Sequence, residues 1–379
     1  MPSCDEIAFS TAELARYDRH INLPEFGLES QKKLKAAKVV VVGAGGLGSP
    51  LLLYLAAAGV GTIGIVDFDI VADSNLQRQV LFGQETIGQQ KTAAAKKRLE
   101  DLNPHLCITL HNTRLGLENA LEILKNYDVI ADGTDNIPSR YLVNDAAVLL
   151  QKTLVYASIY HFEGQVSVFN YRDEKGVLGP NYRDLHPTPP PSELAPNCAD
   201  AGVLGVLPGI IGSIQACEVI KIITGIGSPL SGRLFVFDAL HLETHTFNLH
   251  RRDDNPLNGE NPTIHCLLDY DYFCGSKPQK TVKEISAEEL VQWQQNGEIF
   301  QLVDVREPRE YETSNIGGAL MPLTTIATHI GKLYRDRKVV IHCRTGERSI
   351  RAIQELEDKF GFDNLYNLTG GIIAYQAAL

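Results

Sequence analysis

At 379 residues the chain exceeds one ordinary domain, and its length admits two or three. Hydrophobic residues make up 44% and charged residues 21%, as in a globular protein with a substantial core. The balance of 35 basic against 46 acidic residues, a net charge of −11 with no basic block, argues against non-specific nucleic-acid binding; residues 281–379, with 11 basic and 14 acidic, hide no basic module.

The opening Met1-Pro2-Ser3-Cys4-Asp5-Glu6 is acidic where a signal peptide would be basic. Seven cysteines, at 4, 107, 198, 217, 266, 274 and 343, are scattered and never spaced C-x-x-C. They point to a reducing cytoplasm and away from a disulfide scaffold. The most apolar stretch, Val203 to Ile223, is interrupted by Pro208, Gln215, Glu218 and Lys221 and reads as a buried helix, so no membrane is expected.

In chain order, Val39–Val42 is a β-branched run suited to a buried parallel strand, followed by glycines and an apolar helix from Leu47 to Ala58. Thr62–Val66 is the next strand, Gln89–Leu102 a helix, and Cys107–Leu110, Asp128–Ala131 and Leu154–Tyr156 further strands. This β-α-β rhythm predicts an α/β fold with a doubly wound parallel sheet. Gln165–Asn170 adds a strand of antiparallel character. Residues 171–200 carry little periodicity and read as a mobile functional loop, before a helix over 209–224 and strands near 234–237 and 243–249. Residues 250–280 are turn-rich, and a second αβ unit follows, with strands at Gln301–Val303, Val339–His342 and Asn364–Tyr366.

Gly43-Ala44-Gly45-Gly46-Leu47-Gly48 is a G-x-G-x-x-G between strand and helix, where glycines allow a tight turn and helix amides face phosphate. Asp67, 24 residues after Gly43, ends the second strand, where it can bond a ribose hydroxyl. On these residues alone an NAD-binding domain is the plainest reading. The loop Ser74-Asn75-Leu76-Gln77-Arg78-Gln79, Lys91 at a helix start, Arg19 upstream, and Asp132-Gly133-Thr134-Asp135-Asn136 after a strand do not fit a dehydrogenase. Several cations and a carboxylate suited to Mg²⁺ fit a triphosphate.

The set Arg16-Tyr17-x-Arg19, the glycine turn, Asp67-Phe68-Asp69, residues 74–79, Gly88-x-x-Lys91 and Thr134-Asp135-Asn136-x-x-x-Arg140 resembles the ubiquitin-activating-enzyme-like superfamily. Its nearest branch is the adenylyltransferases that activate molybdopterin-synthase and thiamine sulfur carriers. The resemblance runs over about residues 10–275 and implies ATP with Mg²⁺. Asp135 would hold the metal, Lys91, Arg78 and Arg19 would contact phosphates, Asp67 the ribose, and Gly46 would lie beside the nucleotide. It also implies a homodimer across which Arg19 or Arg78 acts. Many members bind a structural zinc through two C-x-x-C pairs; here those places fall at Asn181, Asp184, Asn255 and Asn258, so no zinc is expected. Cys266 and Cys274, eight apart, read as ordinary thiols.

In the second unit, Cys343 directly follows a strand and precedes a helix, with Arg344-Thr345-Gly346-Glu347-Arg348 after it. Loop amides and flanking arginines there would lower a thiol pKa and stabilise an anionic persulfide. The segment resembles a small α/β rhodanese domain, with residues 344–348 as the persulfide cradle. Four residues separate Cys343 from Arg348, one short of a phosphatase C-x₅-R loop.

Together the two resemblances imply residues 1–275 as an adenylyltransferase domain, 276–282 as a linker and 283–379 as the rhodanese domain. The implied reaction activates the C-terminal Gly-Gly of a ubiquitin-like sulfur-carrier protein and transfers sulfur to it from a persulfide on Cys343. The persulfide would be loaded by a donor such as a cysteine desulfurase or thiosulfate. Cys198 reads either as an inert loop cysteine or as a transient thioester or disulfide partner of the carrier. An NAD-dependent redox enzyme and a non-catalytic scaffold are the rival readings; the set Asp135, Lys91, Arg78 and Cys343 argues against a scaffold.

Overall fold

The computed structural model describes residues 7–189, 202–274 and 282–377. Cys198 and residues 276–281 of the expected linker lie outside them. The chain divides into two units, the first holding residues 7–274 and the second 282–377, each described by itself.

The first unit opens with two helices that the strand rhythm does not predict, Thr11–Ile21 and Gly27–Ala36. Ser10 and Glu13 cap the first reciprocally: Ser10 Oγ accepts from the Glu13 amide, and the Glu13 carboxylate accepts from the Ser10 amide. The strands are β1 (Lys38–Val42), β2 (Thr62–Val66), β3 (Cys107–His111), β4 (Val129–Asp132), β5 (Thr153–Tyr160), β6 (Glu163–Phe169), β7 (Arg233–Asp238) and β8 (Glu243–Asn248). They form one eight-stranded sheet in the order β3-β2-β1-β4-β5-β6-β7-β8. Pairing is parallel from β3 to β5 and antiparallel from β5 to β8. The chain runs outward from β1 through β2 to β3, then returns to place β4 on the other side of β1. That reversal opens a crevice at the carboxyl ends of β1 and β4, the usual binding position of such a sheet.

The apolar stretch forms helix Leu207–Thr224, which packs on β5, β6 and helix Gly48–Ala58. By length and composition alone it could cross a membrane, but half of it is buried inside this unit. Two of its polar interruptions, Gln215 and Glu218, point inward. Gln215 Nε2 donates to the carbonyls of Asp132 (2.8 Å) and Val155 (3.2 Å), and the Glu218 carboxylate accepts from the Leu230 amide.

The expectation of a mobile loop from residue 171 needs correction for its described part. Tyr182–Leu185 is a short helix whose Tyr182, Arg183 and Asp184 are buried. A buried ion pair pins it: Arg183 Nε and Nη2 donate to the two Asp145 oxygens at 2.9 and 2.7 Å, and Tyr270 Oη donates to Asp145 at 2.8 Å. The guanidinium also lies over the rings of Tyr141 and Phe273.

The second unit has strands β9 (Lys283–Ile285), β10 (Phe300–Asp304), β11 (Ala319–Leu320), β12 (Lys338–His342) and β13 (Leu365–Leu368). They form a parallel sheet in the order β11-β10-β12-β13-β9. The two edge strands, three and two residues long, are too short to read from hydrophobic pattern. Central β12 is buried along Val339–His342 and delivers Cys343 at its carboxyl end.

Arg183 and Asp145 are 1% and 0% exposed, so removing one strands the other's charge in the interior. Asp145→Ala should therefore cost about 3–5 kcal/mol of first-unit stability. The check is the thermal or urea midpoint; a wild-type midpoint would contradict the assignment.

Candidate functional site

The crevice is a cavity of about 530 Å³ lined by the glycine turn, the end of β2, the start of helix Lys91–Leu102 and the loop after β4. Gly43 adopts a φ of +95°, and a side chain there would meet the Gly133 carbonyl oxygen at 2.7 Å. Gly48 does not line the cavity; a Cβ on it would lie 2.0 Å from the Gly43 carbonyl oxygen, so it is the seat of the turn. Gly45 and Gly46 present their backbone to the cavity.

Asp67, at the end of β2, accepts from the Ala44 amide at 2.8 Å and the Asp69 amide at 2.9 Å, which locks the glycine turn onto the second strand. Burial pushes its carboxyl pKa up, and the nearby Lys91 charge opposes that shift. Lys91 is buried in the lining and pairs with Asp69 at 2.9 Å. Its helix starts at Lys91, two residues later than the sequence pattern suggests, because Gln90 is extended.

On the opposite wall Asp132 is buried, and its Oδ1 accepts from Thr134 N and Oγ1 at 2.8 and 2.7 Å. Burial pushes its carboxyl pKa up. The turn it ties down presents Asp135 at the exposed rim. Asn136 caps helix Ile137–Leu149 by accepting from the Ser139 amide at 2.9 Å. Asp135 is thus a reachable hard-oxygen donor beside a helix start.

Of the expected site residues, the cavity brings together Gly43, Gly45, Gly46, Asp67, Asp69, Arg78, Lys91, Asp135 and Asn136. Ser74, Asn75, Leu76 and Gln77 lie outside that lining. They build the turn behind Arg78: the Asn75 side chain accepts from the Ala72 amide, the Ser74 carbonyl accepts from Arg78 Nη1, and Gly205 packs against Gln77. Arg19 is also outside the lining, exposed on helix Thr11–Ile21. Gln79 lines the cavity at the end of the loop singled out in the sequence, and Thr113, Arg114 and Asp271 line it without having stood out there. Arg114 pairs with Asp271 at 3.4 Å across 157 residues, a contact no local pattern could reveal.

The second unit places Cys343 in a closed turn. Gly346 N donates to its Sγ at 3.2 Å, and Ser349 Oγ lies 3.6 Å from it. Gly346 has a φ of +102°, and a side chain on Gly371 would lie 2.6 Å from the Cys343 carbonyl oxygen. The thiol is 1% exposed, while Arg344 and Thr345 are exposed around it. Arg348 heads the other flank, its Nη1 and Nη2 each 2.7 Å from an oxygen of Glu310. That pair holds the Glu310 carboxyl pKa at about 2 and raises that of Arg348, to which the Cys343 sulfur also contributes. Beneath the turn, Arg306 forms a buried ion pair with Asp304 at 2.6 Å, bracing the end of β10.

The four positions where zinc ligands would stand do come together, as a hydrogen-bonded cluster. Asn181 Nδ2 donates to Asn258 Oδ1 at 3.0 Å, and Asn255 Nδ2 donates to Asp184 Oδ1 at 2.7 Å. Asp184 also accepts from the amides of Asn181 and Arg252. Three amides and one fully engaged carboxylate do not make a zinc site, which takes thiolate or imidazole.

Residues 17–268 match the family model described as the ThiF family, and residues 286–378 match that of the rhodanese-like domain. The Mycobacterium tuberculosis protein named "Probable adenylyltransferase/sulfurtransferase MoeZ" is 47% identical over 376 residues, covering 97% of this chain and 94% of that protein. The sulfur carrier protein adenylyltransferase of Thermus thermophilus is 52% identical over 263 residues, 69% of this chain and 97% of its own length. Among solved structures, E. coli MccB with ATP superposes with a TM-score of 0.55 at 23% identity, covering 64% of this chain and 74% of that one, a likeness of fold.

The Glu310–Arg348 pair generates a pH prediction. Its carboxyl lies at about 2, against an ordinary 4.5. The pair's stabilisation is complete above 4.5 and is lost as pH falls from 4.5 through 2. Wild-type stability should fall more steeply across that window than that of Glu310→Gln, measured by thermal melts of the full chain. Parallel profiles would contradict the pair's contribution.

Proposed function

The chain belongs to the ThiF family and carries a rhodanese-like domain, an ATP-using adenylyltransferase joined to a sulfurtransferase; from that premise we propose that it converts the C-terminal carboxylate of a ubiquitin-like sulfur-carrier protein into a thiocarboxylate. The observation that carries the reading is the presence, in one chain, of two sites. One is a cleft of about 530 Å³ lined by Lys91, Arg78 and Asp135; the other is a cysteine held in a turn of amides and arginines.

In the first step the carrier carboxylate oxygen attacks the α-phosphorus of ATP. The bond to the bridging oxygen breaks, and pyrophosphate leaves. Activation is required because a carboxylate oxygen leaves poorly from carbon and AMP leaves readily. The glycine-turn amides, Lys91 and Arg78 face the phosphates, and Asp67 and the turn it locks face the ribose. Asp135 would hold Mg²⁺, which would supply charge neutralisation at the phosphates. Arg19, exposed on its helix, is assigned to the cleft of a second subunit in a homodimer.

In the second step the outer sulfur of a persulfide on Cys343 attacks the acyl carbon and AMP leaves, giving an acyl disulfide. A thiol then attacks the Cys343 sulfur, so that a new disulfide forms and the electron pair of the broken S–S bond leaves with the carrier thiocarboxylate. A thiol reductant supplies that thiol, and Cys198 is the candidate for a transient thioester or disulfide with the carrier. The Gly346 amide and Arg348 stabilise the anionic sulfur. A cysteine desulfurase or thiosulfate is the class of sulfur donor. The free state of Cys107, Cys217, Cys266, Cys274 and Cys343 supports a reducing cytoplasmic setting. The proposed domains are residues 1–275 and 283–379, with 276–282 as linker.

The polar cluster of Asn181, Asp184, Asn255 and Asn258 takes the place of a structural zinc in this reading. Elemental analysis should find no stoichiometric zinc, and a chelator should leave the melting temperature of nucleotide-free protein unchanged; a stoichiometric metal would contradict it. Two further substitutions separate the chemistry. Asp135→Ala should lower carrier-dependent ATP–pyrophosphate exchange by about 10²-fold or more. Cys343→Ser should retain exchange and lose persulfide formation, because a hydroxyl cannot carry sulfane sulfur. Wild-type exchange in the first variant, or wild-type sulfur delivery in the second, would remove that residue from the mechanism.

A further inference from the structure

A rhodanese-type cysteine can be loaded by two chemically different donors. From thiosulfate, the Cys343 thiolate would attack the outer sulfur; the new S–S bond forms as the old one breaks, and sulfite leaves with the electron pair. From a thiol persulfide, the thiolate attacks the terminal sulfur, and the donor thiolate leaves with the pair. Neither route needs an external oxidant. They differ in charge: thiosulfate is a dianion whose sulfonate oxygens need cationic donors, whereas a thiol persulfide brings at most one charge on the reacting group.

Two cations flank the Cys343 turn, and the structure commits one of them. Both terminal nitrogens of Arg348 are taken by the two oxygens of Glu310, at 2.7 Å each. This is the fork-to-fork geometry by which arginine recognises a planar anion. Glu310 lies in the helix Pro308–Thr313, 38 residues before Arg348 in the sequence. The side chains are about one-third exposed, 34% and 31%, so the pair sits at the rim of the turn, where a small anion would enter. Arg344, the other flanking cation, is exposed and has no side-chain partner among the described residues. Among the described residues the rim therefore offers one uncommitted guanidinium, beside a carboxylate that would repel a dianion.

We propose that Glu310 sets the donor class of the Cys343 site: by occupying the Arg348 fork it withholds that cation from dianions, so that the cysteine takes sulfane sulfur from a thiol persulfide in preference to thiosulfate. This rests on the reading of Cys343 as the persulfide carrier. Glu310 is a specificity-determining residue that acts through Arg348 and is not itself a reacting group.

The test uses the full chain with two donors, thiosulfate and cysteine persulfide, and follows Cys343 persulfide formation by mass spectrometry and initial rates. In Glu310→Gln the released guanidinium should raise the ratio of kcat/KM, thiosulfate over cysteine persulfide, by about tenfold or more, chiefly through a lower KM for thiosulfate. The gain should shrink as ionic strength rises. It should also vanish in the double variant Glu310→Gln/Arg348→Gln, because it requires Arg348. A ratio unchanged in Glu310→Gln, including equal losses with both donors, overturns the proposal. So does a gain that persists in the double variant, which would make Glu310 a bystander charge. If Glu310→Gln fails to fold, Glu310→Ala decides by the same ratio: it should rise about tenfold or more, and an unchanged ratio overturns the proposal. Absence of any Cys343 persulfide in the wild-type chain with either donor would overturn the persulfide reading itself, a result distinct from persulfide that forms without the predicted preference.

Discussion

At the end of the first strand, a Cβ on Gly48 would lie 2.0 Å from the Gly43 carbonyl oxygen, and one on Gly43 would lie 2.7 Å from that of Gly133. No side chain survives that approach of backbone to backbone. The consequence is geometric: β1 and β4 end side by side, their loops turn in opposite directions, and the crevice between them is walled by amides. Asp67 fastens the second strand to the same turn through the Ala44 amide. Lys91, Arg78 and Asp135 reach one cavity because the elements carrying them leave from these strand ends. The second unit uses the same device on a smaller scale. Gly346 bends back so that its amide meets the Cys343 sulfur, and Gly371 lets the following segment pack on the Cys343 carbonyl.

Charge is partitioned by depth around these frames. Deep charges are paired and hold shape: Arg183 with Asp145 in the first unit, Arg306 with Asp304 in the second. Such pairs add little net stability over an apolar packing, yet they are costly to break, so they fix which segments lie together. The segment after β6 is an instance, since a buried guanidinium anchors what otherwise has the composition of a loop. Charges at the rims stay reachable. Asp135 is exposed, and Lys91, though buried, opens onto the cavity beside the half-exposed Asp69. The amide and carboxylate cluster at Asn181, Asp184, Asn255 and Asn258 ties two distant segments through side-chain hydrogen bonds, a geometric cross-link without thiolates.

Much of this architecture is legible in the sequence because the parallel strands are short β-branched runs and the glycine turn marks the passage from strand to helix. The cysteine turn is legible for the same reason, as its glycine and arginines are contiguous with Cys343. What escapes is whatever depends on distant partners. Arg114 meets Asp271 across the cavity wall, and Glu310 meets Arg348 from another helix; neither pairing leaves a local trace. Residues 74–77 have a structural part as well: the Asn75 side chain and the Ser74 carbonyl shape the turn that presents Arg78. Edge strands β9 and β11 are too short for alternation to register, and the ion pair that buries Tyr182–Leu185 joins residues 38 apart.

The central claim is that one chain both activates a carrier carboxylate and supplies its sulfur. It is tested most directly by the intact mass of a candidate carrier after incubation with the full chain, ATP, Mg²⁺, a persulfide donor and a thiol reductant. The account predicts a carrier heavier by the difference between one sulfur and one oxygen atom, formed only when ATP and donor are both present. A carrier adenylated and then returned unchanged, with donor and reductant in excess, would contradict it.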